Sequence, residues 1–268
     1  PPGICITQAY IQKYLDQRRP RALPFTTKRI EPDVVEILSG IHDDHTTGAP
    51  VSLMIANKDH KPQDYDKFSN IFRPGHSDYV YKQKYKNYDP SGGGRASARE
   101  TAARVAAGAI ARKIIGEEIL IRGFISQIGV HKSLKSNKVN WDYVENNHLK
   151  CPDEKTFHLW MNYLQSIYEE GDSVGAIAEI HIEGLPIGIG NPIYQKLSAM
   201  LAAAIMGINA VKSFEIGAGI DSALMKGSEY IDEMYCDKNG KVHFCSNNNG
   251  GILAGISTGQ TLIIKFAV

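Results

Sequence analysis

Apolar residues recur at the spacing of an α-helix in four parts of the chain. A short helix is predicted to begin after Thr7 and to stop before Pro20, because proline cannot continue a helix. Two further helices, over 97–115 and 192–206, are rich in alanine and carry small residues over much of their surface. The fourth helix, over 156–170, is amphipathic and is expected to pack one face inward.

Strand-like segments alternate with these helices. Residues 34–40, 117–129 and 173–184 carry the apolar and β-branched positions that are typical of strands. One short motif occurs twice, because Thr47-Gly48 and Thr258-Gly259 each precede an apolar strand after a segment rich in turn residues. The repeated motif and the two alanine-rich helices indicate an internal duplication.

These elements predict an α+β protein that forms a single domain over residues 1–268. Two similar halves, about 1–130 and 172–268, are expected to contribute antiparallel sheets that enclose the alanine-rich helices. The region 131–171 is an insert between the halves, and its first part is polar and irregular. The sequence contains no obvious linker, so the two halves are expected to share one core.

One stretch of the first half combines features that bind anions. In the loop Ser91-Gly92-Gly93-Gly94-Arg95, three glycines let backbone N–H groups turn toward an anion with no Cβ in the way. Ser97 and Glu100 then have the spacing of a capping box, so the positive end of the next helix is expected to face the loop. A phosphate or carboxylate site is therefore predicted. A flexible turn before an ordinary helix is the alternative.

His76 precedes this loop, follows a Pro-Gly turn and stands two residues before Asp78. A histidine near a cationic anion site can donate a proton during catalysis, so His76 is the candidate acid. Between His76 and the loop, tyrosines and lysines interleave from Tyr79 to Tyr88, which resembles a platform for single-stranded nucleic acid. Alternation along a strand explains the same pattern more simply.

Composition and charge narrow the class of function. The 268 residues are 43% hydrophobic and 22% charged, as in globular proteins. The net charge of +1 hides an asymmetry, because Lys and Arg outnumber Asp and Glu through Lys113 and the excess reverses afterwards. Many cations of the first part are arginines near turns, which suits binding of phosphates and carboxylates, although a solvated basic face is the alternative. The chain as a whole is not basic, so no nucleic-acid partner is expected.

Membrane and metal functions are not expected either. The chain has no apolar run of about 18 residues, and its first residues lack the pattern of a signal peptide. The cysteines form no C-x-x-C pair and no zinc-ligand spacing with histidine; they are Cys5, Cys151, Cys236 and Cys245. A reduced, cytoplasmic protein without a metal site is therefore predicted.

The stretch from Gly75 to Lys113 closely resembles the signature of chorismate synthases. The resemblance extends back through PPGI, RRP, TTKRIEPDVVEILSG and TTGAP, and forward through LPIGIGNPIYQKL, MGINAVKSFEIGAGI, KGSEYIDEM and NNNGGILAGISTGQ. It covers essentially the whole chain except the polar segment 132–150. It implies the family's β-α-β sandwich of two similar halves, assembled as a homotetramer.

The resemblance implies a carbon–oxygen lyase that acts on a phosphate ester. Members of the family catalyse the anti-1,4-elimination of phosphate from 5-enolpyruvylshikimate-3-phosphate, which gives chorismate in the shikimate pathway of aromatic amino acid biosynthesis. They use reduced FMN with no net redox change, and NADPH or a separate flavin reductase is an expected source of reductant. The substrate carries one phosphate and two carboxylates, which fits the arginine-rich first half.

The resemblance also implies roles for individual residues. His76 matches the histidine that protonates or holds the departing phosphate. The arginines expected to bind the substrate are Arg18, Arg19, Arg29 and Arg104. The residues expected to contact the flavin are Arg95, Ala96, Ser97, Asn209, Ala210 and Ala254.

Several positions depart from the family pattern. Pro24 and Ser91 stand where arginines are usual, and Ala96 replaces a serine. Ala254 replaces a glycine, and Asn248-Asn249 replaces the usual N-H-S/A. Lost cations weaken phosphate binding, so these departures leave open a non-catalytic relative that acts as a binding or assembly subunit.

Family members also carry motifs outside the part that matches this chain. A G-E-S-H-G motif with a second catalytic histidine precedes the position of Pro1, and K-P-T and R-H-D motifs follow the position of Val268. These motifs contribute flavin and substrate contacts. The 268 residues by themselves are therefore expected to turn over poorly.

Overall fold

The computed structural model describes residues 1–19, 24–26, 29, 31–59, 61, 63, 65, 71–89, 94, 96–134 and 139–268. The chain divides into two units, Pro1–Glu117 and Glu118–Val268. Each unit combines helices with antiparallel strands, so the predicted α+β class is confirmed. The single domain with halves at about 1–130 and 172–268 stays a prediction.

The first unit packs two helices against a two-stranded sheet. Its elements are α1 (Gln8–Arg18), β1 (Val35–Ser39), β2 (Ile41–His42), β3 (His45–Thr46), β4 (Ser52–Ile55), α2 (Asp78–Tyr85) and α3 (Thr101–Ile115). Thr7 caps α1 as predicted, because its hydroxyl oxygen accepts a hydrogen bond from the Tyr10 N–H at 3.1 Å. Ile11 and Leu15 of α1 are buried in one core with Val35 of β1.

Small side chains let α3 enter the same core. Ala102, Ala106 and Ala109 are buried on one face of the helix and pack with the apolar side chains of α1 and β1. β1 pairs antiparallel with β4, so the sheet presents Ile37 and Leu53 to this core as well. The alanine content of the segment is therefore used to bring α3 close to its neighbours.

The tyrosine-rich segment forms a helix, so its prediction as an alternating strand is wrong. α2 begins after Ser77 and has Asp78 in its first turn, where the helix dipole favours a carboxylate. Tyr81 and Tyr85 lie one turn apart, and their ring centroids are 5.4 Å from each other. Contacts at (i, i+4) spacing thus account for the tyrosine pattern.

The second unit is organised around a five-stranded antiparallel sheet with the order β6-β5-β7-β13-β8. Its elements are β5 (Leu120–Ile128), β6 (His131–Lys132), α4 (Trp141–Asn146), α5 (Glu154–Glu169), β7 (Ala176–Glu183), α6 (Leu197–Met206), β8 (Ser213–Ile216), α7 (Gly227–Tyr230), β9 (Met234–Cys236), β10 (Val242–Phe244), β11 (Ile252–Leu253), β12 (Ile256–Ser257) and β13 (Leu262–Ala267). Leu262 and Ile264 of β13 are buried in one core, against which Leu197 and Leu201 of α6 pack.

Both helices predicted for this unit are present. In α5, the fully buried Trp160 donates its indole N–H to the His131 carbonyl at 3.0 Å. α6 ends at Met206 as predicted but begins at Leu197, five residues after the predicted start at 192. The Asn191 N–H binds the Gln195 carbonyl at 3.0 Å, and the turn that this bond closes occupies the expected first turn of the helix.

The Thr-Gly repeat of the sequence follows a hairpin of the same geometry in each unit. β2 and β3 pair across Asp43-Asp44, and β11 and β12 pair across Ala254-Gly255. All four turn residues have positive φ, as a type I′ hairpin requires. In each unit the threonine of the Thr-Gly motif, Thr47 or Thr258, donates its backbone N–H to a glycine carbonyl oxygen at 3.0 Å. The repeated motif therefore corresponds to a repeated structural element.

Candidate active site

A network of arginines and buried carboxylates lies just before β1 in the first unit. Asp33 is fully buried, and Glu31 is nearly so. Asp33 binds Arg18 through Oδ2 at 3.2 Å and binds Arg99 through Oδ1. Glu31 binds Arg29 at 2.7 Å and lies 3.6 Å from Arg99. Arg99 thus joins the two carboxylates, and it brings Arg18 and Arg29 into one charged cluster.

This network is connected to the beginning of α3. Arg18 donates to the Thr101 hydroxyl through Nε at 3.1 Å and Nη2 at 2.9 Å, and to the Ala98 carbonyl at 3.0 Å. Ser97 caps a 3₁₀ turn, because its hydroxyl oxygen accepts from the Arg99 N–H at 3.3 Å. Ser97 is therefore a cap, but of this 3₁₀ turn and not of the α-helix as predicted, because the α-helix begins at Thr101 with Glu100 before it. Arg18 therefore contacts the turn that follows the predicted flavin-contacting residues Ala96 and Ser97.

The structure separates the four predicted substrate arginines into two pairs. Arg18 and Arg29 belong to the network, and 21% of the Arg18 side chain is exposed. Arg19 lies 3.5 Å from Asp16, and Arg104 binds Glu100 at 2.9 Å. Both of these ion pairs join residues near in sequence and are partly exposed, so they hold their arginines weakly.

Sequence reasoning assigned no site role to Asp33, Glu31 or Arg99. The sequence feature that could have indicated them is one carboxylate on each side of Pro32, close to several arginines. A buried carboxylate is stable only when cations and hydrogen bonds compensate for the lost water. If Glu31 and Asp33 had been predicted to be buried, ion pairs between them and nearby arginines could have been predicted as well.

His76 lies in a different loop of the first unit, directly before α2. The ring is exposed, and Nδ1 lies 3.0 Å from the Pro74 carbonyl oxygen. Because a carbonyl oxygen can only accept a hydrogen bond, this contact requires the proton on Nδ1. Nε2 is then the nitrogen that remains for a ligand.

Most of the predicted glycine loop, including Ser91 and Arg95, lies outside the described residues. Gly94 and Ala96 are described and exposed. Pro24, one of the departures expected from the family resemblance, lies in a turn. The anion site at the loop and the flavin contact of Arg95 stay predictions.

Three predicted flavin-contacting residues lie at turns of the second unit. Asn209 and Ala210 follow α6, and Ala254 is the first turn residue between β11 and β12. Ala210 has a φ of 71° and Ala254 a φ of 52°. An alanine in this conformation costs about 1–2 kcal/mol, and such strain concentrates at ligand sites. The positive φ of Ala254 belongs to the type I′ turn, where the glycine expected from the family pattern would carry no such cost.

The Asn248-Asn249 pair, another departure from the family pattern, surrounds the buried Asp232. Asp232 accepts hydrogen bonds from the Ser246 hydroxyl and the Asn248 N–H, both at 2.6 Å, and from the Asn249 N–H at 2.9 Å. The Asn249 side chain also donates to Oδ2 at 2.9 Å. Burial raises the pKa of Asp232, but the hydrogen bonds from Ser246, Asn249 and Asn248 outweigh it and hold the pKa below its ordinary value.

The described residues offer no metal site and no reactive buried thiol. Within the part of the chain that is described, no three His, Cys, Asp or Glu residues are grouped as they would be around a metal ion. The four cysteines are free thiols. Burial raises the pKa of Cys151 to about 11, so this thiol is not a reactive thiolate at neutral pH.

Comparison with known proteins identifies the family. The chorismate synthase family model matches residues 1–268. The chorismate synthases of Acidiphilium cryptum (strain JF-5) and Hyphomonas neptunium (strain ATCC 15444) are 51% and 50% identical to this chain, across its whole length and across 72% and 75% of theirs. A crystal structure of chorismate synthase is similar with a TM-score of 0.83 and 28% identity, over the whole of this chain and 77% of the other.

These similarities place the protein among the lyases of the shikimate pathway, which serves aromatic biosynthesis. The chain belongs to the chorismate synthase family. The resemblance found in the sequence motifs is thereby confirmed. None of the helices described is long and apolar enough to cross a membrane.

The role of Asp33 can be tested by substituting Asp33→Asn. Asparagine tolerates the positive φ of this position but leaves Arg18 without its buried charge partner and Arg99 with only Glu31, at 3.6 Å. We expect the free energy of unfolding to fall by about 3–5 kcal/mol in urea denaturation at neutral pH. The control is Asp16→Asn, which removes the exposed partner of Arg19 and should cost under about 1 kcal/mol. Equal losses in the two variants would contradict the role of burial.

The strained turn between β11 and β12 predicts a stabilising substitution, Ala254→Gly. Glycine adopts positive φ without steric cost, so we expect a gain of about 1 kcal/mol in the free energy of unfolding. The opposite change is expected for Ala103→Gly, at an exposed position inside α3, which should lose about 1 kcal/mol. A loss of stability in Ala254→Gly would show that the alanine side chain makes a compensating contact.

The lowered pKa of Asp232 predicts a dependence of stability on pH. A carboxylate whose pKa is lower in the folded than in the unfolded protein stabilises the fold above the ordinary Asp pKa of about 3.9, and this contribution is lost as the pH falls through the folded pKa. The stability difference between the wild type and Asp232→Asn should therefore be largest near neutral pH and narrow below about pH 4. Urea midpoints measured across this range would reveal a constant difference if Asp232 carried no such linkage.

Proposed function

We propose that the protein catalyses the anti-1,4-elimination of phosphate from 5-enolpyruvylshikimate-3-phosphate to give chorismate, with reduced FMN as cofactor. The observation that supports this most strongly is the match of one family model to all 268 residues. The curated relatives that are about half identical over the whole of this chain carry the name chorismate synthase. A non-catalytic binding subunit is not favoured by these relatives.

The charge of the arginine network supports an anionic substrate. Among the described residues, three arginines, Arg18, Arg29 and Arg99, share two carboxylates, so these side chains carry three formal positive charges and two negative ones. Asp33, Thr101 and Ala98 together hold the guanidinium of Arg18, which reduces the ordering needed when a ligand binds. We assign substrate binding to Arg18 and Arg29, whose charge can meet the phosphate or carboxylates of the substrate.

Arg19 and Arg104 are proposed as weaker substrate ligands. Each is bound to a partly exposed carboxylate on the surface of the first unit. Such pairs contribute little energy, so an incoming phosphate or carboxylate can replace Asp16 or Glu100. Their role then depends on exchange of ion pairs when the substrate binds.

His76 is the proposed proton donor in the elimination. As the C–O bond to phosphate breaks, a protonated His76 gives its Nε2 proton to the departing phosphate oxygen, while Nδ1 keeps its hydrogen bond to Pro74. When bound, reduced FMN would lend an electron that assists departure of the phosphate, with no net redox change. The chain residues proposed to hold it are Arg95, Ala96, Ser97, Asn209, Ala210 and Ala254.

Further properties of the family accompany this proposal. We propose a homotetramer in the cytoplasm, with NADPH or a separate flavin reductase as the source of reductant. The test of the reaction is the appearance of chorismate when protein expressed from its complete gene is mixed anaerobically with the substrate and reduced FMN. Absence of product from folded protein under these conditions would rule out the proposed activity.

The role of His76 predicts the kinetics of His76→Asn. Loss of a positioned proton donor should lower kcat by about 10²- to 10⁴-fold and leave KM for the substrate nearly unchanged. The control is His158→Asn, which alters a histidine that is 70% exposed on α5 and should keep wild-type kinetics. A wild-type kcat in His76→Asn would remove the proton donor from the mechanism.

A further inference from the structure

Asp78 is buried at the beginning of α2, two residues after His76. It is the one buried residue of this helix, all of which is described. A buried carboxylate needs strong partners, because the loss of its water shell is costly. The partners of Asp78 therefore indicate what this position holds in place.

Four hydrogen bonds converge on the Asp78 carboxylate. Arg73 donates through Nε to Oδ2 and through Nη2 to Oδ1, both at 2.8 Å, and its backbone N–H donates to Oδ2 at 3.2 Å. The Tyr88 hydroxyl donates to Oδ1 at 3.1 Å. A bidentate arginine pair fixes direction as well as distance, so Arg73 and Asp78 cannot move independently.

The Arg73–Asp78 ion pair, here called the clamp, stays charged at neutral pH. Hydrogen bonds from Arg73, and with them the one from Tyr88, outweigh burial and hold the pKa of Asp78 well below its ordinary value. Protonation of the carboxylate therefore does not open the clamp at the pH at which a biosynthetic enzyme works. The contact is a fixed part of the site.

The clamp closes a six-residue loop, 73–78, that contains His76. Gly75 takes a φ of 71° inside the loop, and the His76 N–H donates to the Arg73 carbonyl at 3.3 Å. The Pro74 carbonyl that accepts from His76 Nδ1 belongs to the same loop. The orientation and the tautomer of the imidazole thus depend on backbone atoms whose positions the Arg73–Asp78 pair fixes.

We propose that Asp78 is a positioning residue for His76, because it clamps Arg73 and so holds the loop in which Pro74 keeps Nδ1 protonated and leaves Nε2 for the phosphate leaving group. The catalytic part of this inference rests on the proposed function. The structural part, the tautomer of His76, does not.

The first test measures turnover in Asp78→Asn. Asparagine has nearly the same shape but offers only one acceptor and no charge, so the bidentate pair is lost. We expect kcat to fall by about 10²-fold, because a shift of about 1 Å at a catalytic group has this effect, while KM changes less than about twofold. Asp78→Glu, which restores the charge, should recover part of kcat. The matched control is Glu183→Gln, which removes the carboxylate of the Arg122–Glu183 ion pair, at 2.7 Å, and should leave both constants unchanged.

The second test observes the His76 ring directly and needs no turnover. In protein labelled with ¹⁵N-histidine, the His76 signals are assigned by their absence from His76→Asn. Neutral His76 should show the Nδ1–H tautomer in the wild type and a mixture with the Nε2–H tautomer in Asp78→Asn. If the wild type did not form chorismate, the proposed function would fail, and these spectra would still decide the positioning role.

Two results would overturn the proposal. One is an unchanged tautomer in Asp78→Asn, whatever its kcat, and the other is a wild-type kcat despite a changed tautomer. If Asp78→Asn does not fold, Tyr88→Phe decides, since it removes a single hydrogen bond and keeps the charge. We expect this variant to lower kcat by about twofold to tenfold with a smaller tautomer change, and wild-type values for both would contradict the proposal.

Discussion

The burial of Asp33 between two arginines is the interaction on which the site of the first unit depends. A carboxylate without water is stable only with its cations in place, so the folded unit must keep Arg18 and Arg99 next to it. Arg18 lies at the end of α1, and Arg99 lies in the turn before α3. The buried charge of Asp33, which lies just before β1, therefore connects β1 with α1 and with the turn before α3. It also holds Arg18, which we assign to substrate binding.

The same principle recurs at smaller scale in this protein. Asp78 fixes the loop of His76, and Asp232 gathers the backbone N–H groups of Asn248 and Asn249 in the second unit. At Asp78 and at Asp232, the buried carboxylate accepts hydrogen bonds from residues that lie outside the helices and strands. The loop of His76, the proposed proton donor, and the segment around Asn248 are thereby given defined positions without belonging to a helix or a strand.

Backbone strain marks the second unit in a different way. The type I′ turn of its hairpin contains Ala254, whereas the corresponding turn of the first unit contains Asp43, a residue type that tolerates positive φ better. The repeated hairpin shows that both turns follow one geometric rule. The alanine is a local exception, and its cost is small enough for the surrounding antiparallel pairing to maintain the turn.

The sequence by itself determined the elements that local forces specify. The cap of α1, the strands after each Thr-Gly motif, the amphipathic α5 and the family were all read from neighbouring residues, because capping, periodicity and motif spacing act over a few positions. Local signals also gave two wrong predictions. The alternation of tyrosines indicated a strand where α2 forms, and α6 begins five residues later than predicted because the Asn191–Gln195 bond closes a turn there. Only the tertiary structure decided which arginines are held, because Asp33 meets Arg18 across 15 positions and Arg99 across 66. Residues so far apart in sequence become ion-pair partners because folding buries them together. The periodicity of the sequence therefore does not predict which arginines pair with Asp33.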